Sequence, residues 1–333
     1  MSKTKSITTD DDGLLVFTDY QPDDLTLHTV VQSPFAQKAH IYLLYKQIPF
    51  AIKYVHPKRL VKYAVPMLQL KDGTFLSESS ELGVWLEDNF PGTPSILPIH
   101  IRQQQIELEA RLSKLLIGPI FQLSRPHMPS GNPWVKFTSI CTQIRNCWRM
   151  GWCMEGTIPG GIGILKYLWP LIMRKAEFAK VIVDEVYTRT NGNSATRNMS
   201  DALDVFEAEL RLAEDEFYNG NNQVEGGQPP YQQRRGVGTE GENDVVLLSR
   251  TLNHPGMADL TAYVAITSAH RLGVSGADGY RNRPAVMWWV RKMDNIMEEK
   301  QRQGVVLKDS EAGTEVSYFA PPLIPKSVLR NRV

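Results

Sequence analysis

The sequence predicts a two-domain chain in which an α/β half is followed by an all-α half. At 333 residues the chain is longer than one hydrophobic core ordinarily organises, which suggests two domains. Between Leu25 and Leu97 short runs with strand composition alternate with helical ones, whereas beyond Pro98 the apolar spacing is helical. An Asp72-Gly73 pair between two short apolar runs adds a hairpin to the first half.

Taken in order, Leu25 to Val30 alternates apolar and polar residues with β-branched content and reads as a strand that ends before Gln32. Pro34 suits the first turn of a helix, where a missing N–H costs nothing, and Ala39, Tyr42, Leu43 and Leu44 carry that helix to about Lys46. Ile48-Pro49 breaks it, and Phe50 to Val55 has the composition of a second strand. The basic stretch His56 to Ala64 carries no clear signal. Pro66 to Leu70 and Thr74 to Leu76 form the hairpin around Asp72-Gly73. Ser77 or Ser79 is expected to cap a helix over Ser80 to Asn89, which Pro91-Gly92-Thr93-Pro94 ends. The order βαβ, irregular link, ββα is that of a thioredoxin-like half.

The second half opens with Ile101 to Leu116, apolar at Ile106, Leu108, Leu112, Leu115 and Leu116. Helices are expected near Trp134 to Met150, Leu165 to Thr188, Ser200 to Tyr218, Ala258 to Arg271 and Arg283 to Gln301. The Gly-, Asn-, Gln- and Pro-rich stretch from Asn219 to Asp244 reads as a mobile insertion. The expected boundaries are 1–24 for an N-terminal extension, 25–97 for the α/β domain, 98–318 for the all-helical domain with a flexible insertion at 219–249, and 319–333 for a C-terminal tail.

Composition excludes several classes. Net charge is +1, from 37 basic and 36 acidic side chains, which leaves no electrostatic footprint for nucleic acid. Cys141, Cys147 and Cys153 are too few for a disulfide framework, and their spacing turns them to different sides of a helix, so no metal site is expected. Ile158 to Met173 is interrupted by glycines, Lys166 and Pro170 and is too short to span a membrane. Met1 to Asp12 is polar and acidic, unlike an export or import signal, so the expected location is cytoplasmic.

Three motifs carry chemistry. Gln32-Ser33-Pro34-Phe35-Ala36-Gln37-Lys38 places a hydroxyl at the mouth of a helix that follows a strand; Val65-Pro66 precedes a strand; Glu78-Ser79 opens a helix. Singly they read as a helix cap, a trans bend and a capping pair. In order and spacing they resemble the glutathione site of the cytosolic glutathione S-transferase superfamily, over Leu25 to Leu97 best and after Pro255 more weakly.

That resemblance implies a serine-type member. Ser33 stands where thioredoxins carry Cys-x-x-Cys and omega-like members Cys-Pro-Phe, and it would stabilise the glutathione thiolate without bonding to it covalently. Lowering a thiol pKa by about two units takes ~2.7 kcal/mol, within reach of a hydroxyl donor and a helix N-terminus together. Phe35, Val65, Pro66, Glu78 and Ser79 are the implied glutathione-binding residues. Pro66 is implied to be cis, turning the Val65 backbone toward the cysteinyl unit, while Glu78 and Ser79 would receive the γ-glutamyl ammonium and carboxylate.

Pro255-Gly256-Met257-Ala258-Asp259-Leu260 is similar to the family's Ser/Thr-x-x-Asp capping box, with Gly256 in the hydroxyl position; Glu81 also departs, at a place usually small and apolar. The implied activity is transfer of the glutathione thiolate to a small apolar electrophile, with glutathione as co-substrate and no metal. The alternatives are glutathione-dependent isomerisation of an activated alkene and a non-catalytic glutathione-fold binding protein. A homodimer is implied by resemblance alone.

Overall fold

The computed structural model describes residues 6–30, 33–55, 65–121, 199–221, 245–272 and 276–323. The expected helices at 134–150 and 165–188, the three cysteines and the segment 158–173 lie outside them.

The first half forms a four-stranded sheet of order β4-β3-β5-β6, built from β3 (Leu25–Thr29), β4 (Ala51–Tyr54), β5 (Met67–Leu70) and β6 (Phe75–Leu76). β3 runs parallel to β4 and antiparallel to β5, and β5 and β6 make the expected hairpin with Gly73 at positive φ. Helices α1 (Pro34–Tyr45) and α2 (Ser79–Asn89) pack against each other. Leu27, Ile41, Leu44, Leu68, Leu82 and Leu86 form the core of this thioredoxin-like unit. Gly83 lets α2 lie close to α1 and to Met257: a Cβ there would be 2.9 Å from both Met257 Cε and Tyr42 Cε2.

The described helices of the second half are α3 (Arg102–Leu112), a π turn (Ser113–Ile117) leading into α4 (Gly118–Phe121), α5 (Met199–Asn221), α6 (Met257–Leu272) and α7 (Pro284–Gln303). α6 packs on both α1 and α3, joining the two halves. Lys46, at the end of α1, is buried and donates to Glu87 (2.8 Å), whose carboxylate also accepts from the Ile96 N–H (3.0 Å) in the linker.

The start of α6 is buried and held by several hydrogen bonds. Asp259 accepts from the N–H groups of Leu248 (2.8 Å), Ser249 (3.0 Å) and Gly256 (3.0 Å) and from the Trp289 indole (3.1 Å). Burial pushes its carboxyl up to about 6, against the pull of these donors. The bond that a hydroxyl at position 256 would make is supplied from α3. Gln105 Oε1 accepts from the Ala258 N–H (3.3 Å), and a Cβ on Gly256 would sit 2.2 Å from that same oxygen. The Met257 N–H donates to the Ile96 carbonyl (2.8 Å).

Two expectations need correction. An insertion reaching 249 is too long: Val246, Leu247, Leu248 and Ser249 are buried, and two of their N–H groups donate to Asp259, so the insertion ends with the polar stretch, before Val245. Residues 98–318 are not all helical. β7 (Val305–Lys308) and β8 (Glu315–Tyr318) join β1 (Ile7–Thr9) and β2 (Leu15–Thr18), from the supposed extension, in a second sheet of order β1-β2-β7-β8. β2 pairs parallel with β7, which joins segments 290 residues apart, and Phe17, Tyr20, Val305 and Leu307 are buried there. Four-residue strands paired across nearly the whole chain leave little periodicity to read.

Candidate functional site

Ser33 begins the site. Its backbone is extended (φ −77°, ψ 115°), and Pro34 supplies the first helical residue. The Ser33 N–H donates to the Val30 carbonyl (3.0 Å), while its own carbonyl accepts from Gln37 (2.9 Å). Its Oγ accepts from the Ala36 N–H at 3.3 Å. The capping role that an isolated Ser-Pro suggests is therefore real, and it does not use up the side chain, because a hydroxyl that accepts still has a proton to donate. Ser33 and Phe35 are half-buried.

Strand register brings the other two motifs to the same end of the sheet. β3 pairs with β5 through His28 opposite Met67, so Val65-Pro66 lies across from the end of β3, just before Ser33. The Val65–Pro66 peptide bond is cis, as the resemblance implied. β6 pairs back along β5, with Leu76 opposite Leu68, and delivers the chain to the start of α2 at this end. Lys38 on α1 donates to Ser80 Oγ on the first turn of α2 at 2.9 Å, which ties the two helix starts together.

At the start of α2 the expected serine cap is replaced. Glu78 is the N-cap residue, exposed and with no side-chain capping bond, and Ser79, the first helical residue, is buried. Glu78 therefore keeps its carboxylate outward, and the first N–H groups of the helix lie next to the Ser79 hydroxyl. This is a place where a carboxylate and an ammonium of one ligand can both be met. Glu81 is exposed, so its departure from a small apolar residue does not disturb the core. The basic residues Lys58 and Arg59 of the link and the aromatic-rich residues 122–169 lie outside the described residues.

Tyr20 is buried with its hydroxyl donating to the Pro49 carbonyl at 3.2 Å, and burial drives its pKa upward, so it plays a structural part. Sequence reasoning missed the polar cluster behind the site. Lys38, 1% exposed, donates to Glu109 (2.6 Å) on α3 and to Ser113 (3.2 Å) on the π turn that follows. Burial pushes the Glu109 carboxyl up, but the Lys38 ammonium and the hydrogen bonds from Lys38 and Ser113 outweigh it and hold the group below the usual carboxylate range. Among the described residues, no group of three or more His, Cys, Asp or Glu is placed to hold a metal, and no helix is long and apolar enough to cross a membrane.

Residues 32–89, which hold all three motifs, match the family model of the glutathione S-transferase N-terminal domain. Over that segment the chain is similar to the N-terminal domain of glutathione S-transferases. Among solved structures it is similar to glutathione transferase GSTFuA2 from Phanerochaete chrysosporium, at 13% identity over 84% of this chain and 99% of that one, TM-score 0.48. A serine-to-cysteine mutant of poplar glutathione transferase F1 is similar at 12% identity over 84% and 98%, TM-score 0.45. Maleylacetoacetate isomerase from Anaeromyxobacter dehalogenans 2CP-1 is similar at 14% over 83% and 89%, TM-score 0.41. No curated protein matches the chain.

Proposed function

We propose that the chain is a serine-type glutathione transferase, which binds glutathione in its thioredoxin-like half and transfers the thiolate to a small apolar electrophile. The observation that carries this reading is the half-buried Ser33 hydroxyl at the start of α1, at the same sheet end as the cis Val65–Pro66 bond and the start of α2. The Ser33 O–H would donate to the glutathione sulfur, and the positive end of α1 would favour the thiolate further. The backbone of Val65 would meet the cysteinyl unit beside Phe35. Glu78 and Ser79 would hold the γ-glutamyl ammonium and carboxylate.

The thiolate then attacks the electrophile: a C–S bond forms as a leaving group departs with its electron pair, or as the π electrons of an activated alkene move to the adjacent carbon and are protonated there. Reversible addition of the second kind makes the same site an isomerase. The protein would act in the cytoplasm, as a homodimer.

A second reading, a glutathione-fold protein that works by holding a partner, is favoured by the exposed edge of the second sheet, where Val316 and, just beyond it, Phe319 face solvent. Calorimetric titration of glutathione decides first: saturable binding is expected, and its absence would sink the transferase reading. Binding with no turnover across alkyl halides, enones and epoxides would favour the partner-binding reading instead.

A further inference from the structure

The Lys38 ammonium has three protons, and the structure gives it three acceptors: Glu109 Oε1 (2.6 Å), Ser80 Oγ (2.9 Å) and Ser113 Oγ (3.2 Å). No proton is left for a ligand. Its acceptors instead join parts of the molecule that are distant in sequence. Ser80 is on the first turn of α2, directly after Glu78 and Ser79, while Glu109 and Ser113 belong to α3 and the π turn of the helical half. Lys38 itself lies on α1, the helix that Ser33 caps.

The circuit closes on α6. Tyr42 of α1 bonds Thr261 (2.6 Å), and Thr261 donates to Glu109 Oε1 (3.3 Å), which also accepts from Ser113 (2.6 Å). The bonds from Lys38, Ser113 and Thr261 all fall on one carboxylate oxygen; Glu109 Oε2 is buried without a hydrogen-bond partner among the described residues. A buried ion pair with an unmet oxygen is a poor device for stability alone, since an apolar pair of similar volume commonly does as well or better. What the pair supplies and an apolar pair would not is direction: the ammonium fixes where the start of α2 sits relative to the start of α1.

Resting on the transferase reading above, we propose that Lys38 is a positioning residue of the glutathione site, holding the γ-glutamyl end at α2 in register with the Ser33 end at α1. Through Glu109 that register answers to the helical half, so glutathione binding and the packing of α3 are coupled.

The test compares wild type, the double variant Lys38→Met with Glu109→Leu, and Ser80→Ala. For each, the thermal midpoint, the glutathione Kd by calorimetry and the pH at which bound glutathione ionises would be measured. The double variant is expected to melt at or above the wild-type midpoint, yet to bind glutathione about tenfold more weakly and ionise it about one pH unit higher. Ser80→Ala, which cuts only the link to α2, is expected to keep its fold and weaken binding by about threefold. It carries the test if the double variant does not fold. Wild-type affinity and ionisation in folded Ser80→Ala and in the double variant would overturn this inference and leave the proposed function standing. Failure of the wild type to bind glutathione would overturn both.

Discussion

Two helix starts in this molecule are built in opposite ways. The start of α6 is buried: the Ile96 carbonyl and Gln105 from α3 accept its Met257 and Ala258 N–H groups, and its own Asp259 accepts from Gly256 while also gathering the N–H groups of Leu248 and Ser249 and the Trp289 indole. The start of α1 is half-buried and capped by its own Ser33, through one bond of 3.3 Å. The first arrangement spends its groups on the protein itself and ties α3, the linker and α7 together. The second leaves a hydroxyl proton and a positive helix end facing the place where the cis Val65–Pro66 bond and α2 arrive. The same helix-end physics thus serves stability in one half and, in our reading, thiolate chemistry in the other.

Substitutions can break or sharpen that contrast. Asp259→Ala should have the largest effect, because it orphans several buried donors at once: a loss of about 4 kcal/mol or more in urea unfolding is expected. A loss below ~1 kcal/mol would show that α6 does not depend on this cap. Gln105→Ala should cost about 1–2 kcal/mol, and Gly256→Ser should recover most of it in that background, where the side chain at 256 no longer meets the Gln105 oxygen. No recovery would mean that Gln105 does not stand in for the missing hydroxyl.

Ser33→Ala should cost about 1 kcal/mol as a cap while slowing turnover and leaving most glutathione affinity in place. Glu78→Ala should leave the melting midpoint unchanged, since the side chain is exposed and caps nothing, but weaken glutathione binding about tenfold. Unchanged affinity would contradict the assigned orientation of the γ-glutamyl group.

The pair of Lys38 and Glu109 adds a pH test. The Glu109 carboxyl is held below its ordinary value in the folded protein, so its contribution to stability is fully present above the unfolded carboxylate pKa and is lost as pH falls through the folded one. The unfolding midpoint of the double variant without this pair should therefore fall less than that of the wild type as pH drops below about 4. Parallel curves would show that the pair does not govern acid stability.

What the sequence disclosed divides along the same line. Ser33 with Pro34, the Asp72-Gly73 hairpin and Asp259 announce themselves through neighbours a few residues away, and the structure has them as a helix start, a turn and a cap. Gln105, Lys38 and Glu109 carry no local signal, because their roles depend on partners 153 and 71 residues distant. Gly256 looked like half a capping box; the other half comes from another helix. The second sheet escaped for the same reason, since β2 and β7 meet only once the chain has folded. Glu78 displaced the expected serine cap by one residue, a shift that composition alone does not resolve.

The most direct test of the central claim is the ultraviolet absorbance of bound glutathione thiolate, followed across pH in wild type and in Ser33→Ala. In the wild type the thiolate should form well below the free-thiol range near pH ~8.5, and in the variant it should form close to that range. Superimposable curves would show that the Ser33 hydroxyl does not hold the sulfur and that the chemistry has been placed at the wrong residue.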